Sequence, residues 1–176
     1  MITLVMGGTG SGKSAFAEEL AVCGDYPGRY YIATMLVMDE EGSKRRIRHR
    51  KSREGKGFET LEIPCRIDGA PELMTDPDKC VVLLECASNL VGNIMHEREW
   101  SERRADDPDG FFGDFTDRVT KLITDIAGAV GHLIVVSYLP GENDAPDCDE
   151  ETDLYLELLD MVNRRLSGIA DSVHIL

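Results

Sequence analysis

The stretch Gly7-Gly8-Thr9-Gly10-Ser11-Gly12-Lys13-Ser14 carries the clearest chemical signal in the chain. It fits G-x-x-x-x-G-K-[ST], the Walker A phosphate-binding pattern, and it lies between a run predicted as strand, Ile2 to Met6, and one predicted as helix, Lys13 to Cys23. Glycines let the backbone wrap a phosphate so that successive N–H groups point at it, and the amino end of the following helix adds its positive dipole. Lys13 is expected to reach the β- and γ-phosphates, and the Ser14 hydroxyl to bind a magnesium ion. A dinucleotide fingerprint is excluded, because Lys13 stands where its third glycine belongs.

A phosphate-binding loop needs an acid at the end of a neighbouring buried strand, and Cys80-Val81-Val82-Leu83-Leu84-Glu85 supplies one in Glu85. It is expected to hold magnesium through a water or to orient the phosphate acceptor. A blander reading makes it a cap for the helix that begins near Cys86. No N-K-x-D occurs, which speaks against a guanine-specific switch GTPase and leaves a metabolite kinase or a nucleotidyltransferase.

The second signal is electrostatic. Residues 44–53, KRRIRHRKSR, hold seven of the nineteen Lys and Arg and no acid. The net charge is −14, so removing these seven positive charges leaves −21 on the rest. So acidic a chain is repelled by nucleic acid and anionic membranes, and a small multiply charged anion is the expected ligand of the basic run. Helical spacing puts Arg46, His49, Arg50 and Arg53 on one face. Neighbouring cations push the His49 imidazole below its reference pKa of about 6.5, leaving a neutral lone pair able to attack phosphorus. A histidine in a basic helix is more often a solvated surface residue, so spacing alone leaves both readings open. His96, His132 and His174 fit no catalytic or zinc-binding pattern.

These residues need a frame. Further strands are predicted at Arg29 to Thr34, Phe58 to Ile63, Cys80 to Glu85, His132 to Ser137 and Ser172 to Leu176, with helices at Asp39 to Arg53, Asp68 to Met74, Cys86 to Glu97, Phe111 to Ala129 and Glu151 to Ile169. Trp100 to Gly110 and Tyr138 to Glu150 read as polar surface loops. Near-continuous apolar strands alternating with helices predict an α/β fold with a mainly parallel sheet and helices on both faces. At 176 residues, 1–176 is read as a single nucleotide-binding domain. Five cysteines without a C-x-x-C pair read as reduced, mostly buried thiols. No signal peptide and no membrane span are recognised, so the expected location is cytoplasmic.

Taken together, GGTGSGKS, YIAT at Tyr31 to Thr34, RIRH at Arg46 to His49, T-x-E at Thr60 to Glu62, LLEC at Leu83 to Cys86 and VNRRL at Val162 to Leu166 resemble, in that order, the bifunctional adenosylcobinamide kinase / adenosylcobinamide-phosphate guanylyltransferase family. The resemblance runs nearly end to end. It implies a P-loop NTPase-like fold and a homo-oligomer, a trimer. It further implies an enzyme of cobalamin biosynthesis that phosphorylates adenosylcobinamide and then transfers GMP from GTP through a guanylylated histidine. By that resemblance His49 is the histidine, Gly7 to Ser14 bind the phosphates of ATP and GTP with magnesium, and Ala33, Thr34, Arg50, Lys51, Glu62 and Glu85 belong to the nucleotide site. Three places depart from the family pattern: Gly10 stands where the loop usually has arginine, Ser137-Tyr138-Leu139-Pro140-Gly141 replaces an Asn-Glu-Val-Gly segment, and the given sequence stops at Leu176 where the family pattern continues through a short tail. A P-loop kinase of another small metabolite and a degenerate nucleotide-binding protein are the alternatives.

Overall fold

In the computed structural model, residues 1–36, 40–140 and 149–176 are described, with backbone alone at positions 41, 45, 48, 49 and 52. The apolar runs form six strands: β1 (Ile2–Gly7), β2 (Gly28–Ala33), β3 (Phe58–Glu62), β4 (Cys80–Glu85), β5 (His132–Tyr138) and β6 (Ser172–Ile175). The helices are α1 (Lys13–Cys23), α2 (Glu40–Ser52), α3 (Ala87–Met95), α4 (Arg98–Asp106), α5 (Pro108–Ala129) and α6 (Glu150–Ile169). Two short 3-10 segments, Ile67–Leu73 and Pro77–Lys79, connect β3 to β4. All five strand pairings are parallel, in the order β3-β2-β4-β5-β1-β6, so the sheet is wholly rather than mainly parallel.

Alternation along each strand feeds two apolar layers. Val5, Tyr31, Val81, Leu83, Ile134 and Val136 meet Ala17 and Ala21 of α1 on one face. Leu4, Ile32, Val82, Leu84 and Val135 meet α3, α5 and α6 on the other, through side chains such as Leu90, Val119, Leu122, Leu158 and Val162. Helix starts follow the expected capping chemistry. The Asp107 carboxylate accepts from Gly110 N at 3.0 Å with Pro108 in the first turn of α5, and the Asp149 carboxylate accepts from Thr152 N at 2.7 Å at the start of α6.

The reading of Trp100 to Gly110 as a loop is corrected: this stretch forms most of α4 and the first turn of α5. The segment looked like a loop because α4 is almost entirely polar. Its one buried residue, Trp100, packs edge-on against Phe111 and Phe115 at centroid distances of 6.3 and 5.1 Å. The loop expected at Tyr138 to Glu150 is flanked by the end of β5 and the start of α6, and residues 141–148 lie outside the described residues. The four described cysteines are unpaired, but only Cys80 is fully buried and Cys23 is exposed; Cys148 lies outside the described residues. Among the described residues no helix is long and apolar enough to cross a membrane.

At the edge of the sheet opposite the phosphate-binding loop, His132 ties three segments together. Its Nε2 hydrogen-bonds Thr3 Oγ1 at 2.8 Å and its Nδ1 hydrogen-bonds the Tyr26 hydroxyl at 3.0 Å. Burial pushes this imidazole below its usual pKa. A depressed value in the fold means that the unfolded chain binds the proton more readily. Stability from this group is therefore present above about pH 6.5 and is lost as pH falls below it. Urea titrations between about pH 7.5 and 5.5 should show that loss, and His132→Gln should flatten it. Trp100→Ala should cost about 3 kcal/mol in the same measurement at neutral pH, because it empties the only apolar anchor of α4.

Candidate active site

Parallel register delivers the chemistry-bearing residues to one edge of the sheet. Gly7 pairs with Tyr138, and Ala33 pairs with both Glu62 and Glu85, all at the carboxyl ends of their strands. Between β1 and α1 the chain turns through Gly10 at φ 75° and Gly12 at φ 88°, the left-handed region that favours glycine. Gly7 is needed for a different reason. A Cβ there would lie 2.5 Å from Ser11 Oγ and 2.8 Å from the Leu176 carbonyl oxygen.

Four side chains converge beside this loop. Lys13 Nζ donates to the Gly8 carbonyl at 2.9 Å, folding the ammonium over the loop. Ser14 Oγ donates to Glu85 Oε1 at 2.5 Å, and the Tyr31 hydroxyl donates to Glu85 Oε2 at 3.0 Å. Burial above all, then the charge of Glu85, drives the Tyr31 phenol far up against the opposing pull of Arg53, so Tyr31 stays neutral and donates. Glu85 does not cap the next helix. That place is taken by Cys86, whose Sγ accepts from Asn89 N at 3.4 Å. A hydroxyl and a carboxylate in contact form an oxygen-only donor pair, the type that magnesium takes together with phosphate and water.

The opposite wall comes from α2 and the turn after it. Arg46 Nη1 pairs with Glu62 Oε2 at 3.1 Å, joining α2 to the end of β3. Arg53 is only 7% exposed, and its guanidinium carbon sits 3.3 Å from the centroid of the Tyr31 ring. Its Nε and Nη1 are buried and meet no hydrogen-bonding partner among the described residues. Just beyond it, Lys56 pairs with the buried carboxylate of Glu18 on α1.

A cavity of about 580 Å³ lies between these walls. Of the residues singled out from sequence, it brings together Thr9, Gly10, Lys13, Ser14, Ala33, Arg46, Arg50, Arg53, Glu62 and Glu85. Gly7, Gly8, Ser11 and Gly12 shape the loop without lining the cavity. Thr34 is fully buried. Its Oγ1 donates to the Cys86 carbonyl at 2.9 Å and accepts from Cys86 N at 2.8 Å, bridging the ends of β2 and β4. Lys51 is exposed and stands away from the cavity. The His49 backbone is in α2, one turn from Arg46 and Arg53; its side chain lies outside the described residues.

Sequence reading gave no site role to Tyr31, Ser88, Asn89 or Tyr138, which also line the cavity. Tyr31 shares the two-residue strand period with Ala33, a signal that places it on the same face. Cys86 also lines the cavity, but burial pushes its thiol up, which makes it a poor nucleophile at neutral pH.

Residues 3–176 match the protein family described as cobinamide kinase / cobinamide phosphate guanyltransferase. The chain is 29% identical over 184 residues to the bifunctional adenosylcobalamin biosynthesis protein CobU of Salmonella typhimurium, covering 98% of this chain and 93% of that one. It is 37% identical over 97 residues to the protein of the same name from Escherichia coli, covering 55% of this chain and 51% of that one. Among solved structures it is similar to the flagellar accessory protein FlaH from Methanocaldococcus jannaschii, with TM-score 0.39 and 14% identity over 90% of this chain and 67% of that chain. That last likeness is too distant to support a reading of the site.

Lys13 is the one cation that the loop itself contributes, Gly10 having no side chain to add another. Lys13→Ala should weaken nucleotide binding by at least about tenfold in a calorimetric titration, with an unchanged circular dichroism spectrum. An unaltered affinity would remove the loop from the binding site.

Proposed function

This chain belongs to the cobinamide kinase / cobinamide phosphate guanyltransferase family, and from that premise we propose that it phosphorylates adenosylcobinamide and then transfers GMP from GTP to adenosylcobinamide-phosphate through a guanylylated His49. The observation that carries this reading is one cavity lined both by Lys13, Ser14 and Glu85 and by Arg46, Arg50 and Arg53. A phosphate chain held by the loop would thereby face the helix that bears His49. The relatives named for bifunctional adenosylcobalamin biosynthesis support the choice of acceptor.

In the kinase step the acceptor's hydroxyl attacks the γ-phosphorus of ATP, the bond to the bridging oxygen breaks, ADP leaves, and the hydroxyl proton is released. Lys13 and the loop amides hold the phosphates in line, and Glu85 orients what approaches them. Magnesium, held by the Ser14 hydroxyl and by Glu85 directly or through water, would neutralise phosphate charge there. In the transferase step an unprotonated ring nitrogen of His49 attacks the α-phosphorus of GTP. The bond to the β-phosphate oxygen breaks and pyrophosphate leaves, its charge offset by the flanking arginines. A phosphate oxygen of the acceptor then attacks the same phosphorus and displaces the imidazole, giving the GDP derivative of the corrinoid.

The test separates transferase from kinase without a corrinoid. With magnesium and GTP labelled at the α-phosphate, the protein should acquire covalent label through an acid-labile, alkali-stable phosphorus–nitrogen bond at His49. Label at the γ-phosphate should instead depart with pyrophosphate. His49→Ala should abolish labelling while leaving phosphorylation of adenosylcobinamide largely intact. Wild-type protein that binds GTP yet takes no α-label would replace this reading with that of a simple kinase.

A further inference from the structure

Tyr31 touches both walls of the cavity, and neither step above uses it. From β2 its hydroxyl reaches Glu85 Oε2, the oxygen not taken by Ser14, while its ring lies under the Arg53 guanidinium. The ring itself has little freedom. It is 3% exposed, sits on an interior strand, and receives Phe58 edge-on at 6.3 Å with an interplanar angle of 81°. A guanidinium stacked on a ring keeps its N–H groups away from the ring face, and here Nε and Nη1 are buried without partners among the described residues, on a residue that lines the cavity. A carboxylate with one oxygen on Ser14 and the other on Tyr31 is likewise fixed about its terminal torsion.

We propose that Tyr31 is a positioning residue that presents Arg53 to the phosphates through its ring and fixes Glu85 against Ser14 through its hydroxyl, so that one side chain sets both walls of the nucleotide pocket. The two roles reside on different atoms and are therefore separable by substitution. Phenylalanine keeps the ring and deletes the hydroxyl; leucine deletes both. The proposal rests on the reading of this cavity as the nucleotide site.

The experiment is calorimetric titration of GTP into wild-type protein, Tyr31→Phe and Tyr31→Leu, each with and without Arg53→Gln, in excess chelator and over a series of magnesium concentrations. Tyr31→Phe should leave metal-free GTP affinity within about twofold of wild type, but should raise the magnesium concentration for half-maximal tightening by about fivefold. Tyr31→Leu should lower metal-free affinity by about tenfold as well, and Arg53→Gln should then cost little more, although it costs about tenfold in the wild type. Should the leucine variant fail to fold, pentafluorophenylalanine at position 31 preserves the shape and reverses the ring's electrostatic face. It should lower metal-free affinity relative to phenylalanine. An unchanged magnesium requirement in Tyr31→Phe overturns the link to Glu85. An equal cost of Arg53→Gln with and without the tyrosine, or equal affinities of the two ring variants, overturns the link to Arg53. Wild-type protein that binds no GTP overturns the nucleotide reading of the cavity and this proposal with it; binding with unshifted variants overturns this proposal alone.

Discussion

A parallel ladder points every strand the same way, and that constraint decides where the rest of this molecule can place its chemistry. Each return to the starting edge needs a crossover, and both faces of the sheet are apolar, so crossover helices must cover them. Only the strand ends stay open. Gly7, Ala33, Glu62, Glu85 and Tyr138 are far apart in sequence, yet they become neighbours because they all occupy carboxyl ends in register. The phosphate-binding loop, the carboxylate beside it and the basic wall opposite are consequences of that alignment.

Charge is distributed with equal economy. The chain carries −14 overall, but the cations at the cavity come from Lys13 and from the α2 segment. The sole apolar side chain in α2, Ile47, is 64% exposed, so the helix has no apolar face with which to dock. Among the described residues it is attached by polar contacts such as Arg46 to Glu62, Arg53 on Tyr31, and Lys56 to Glu18 just beyond its end. The last is the strongest constraint, because Glu18 is 3% exposed and a buried carboxylate without its cation is costly, about 3 kcal/mol or more. With Gly10 leaving open space where a longer side chain would reach into the cavity, these contacts place most of the positive charge there.

How much of this could be read from sequence depends on where the physical signal lies. Cys80 to Glu85 and His132 to Ser137 were legible as strands because runs apolar on both faces occur in buried parallel sheets. The loop from Gly7 to Ser14 was legible because its backbone geometry demands glycine at set places. α4 was illegible because its helical state follows from one tryptophan docking on the α5 aromatics and from pairs such as Arg98 with Glu102 at 2.7 Å, with no apolar stripe to betray it. Tyr31 was hidden for the opposite reason. An aromatic residue in a strand is normally core, and its hydroxyl contact with Glu85 spans 54 residues, a separation that no local pattern reports. Thr34 and Lys51 show that residues in or beside a motif need not line the cavity, Thr34 being bonded to the Cys86 backbone and Lys51 exposed.

Polar satisfaction supplies the last constraint. Most buried polar side chains here have partners: Ser137 Oγ donates to Asn163 Oδ1 at 2.6 Å, Asn163 Nδ2 donates to the Tyr138 carbonyl at 2.9 Å, and Thr34 and His132 are bonded as described. Arg53, Ser11 and Thr120 are the exceptions among the described residues, the first lining the cavity, the second within its loop and the third on α5. A buried donor left unpaired costs about 1–3 kcal/mol, and more when charged, so the fold carries a penalty at the place where an anion would enter. A large two-layer core can carry that cost. Phosphate oxygens are acceptors, which a guanidinium needs and cannot supply for itself. The unpaired donors of Arg53 are of the kind that a phosphate-bearing ligand satisfies.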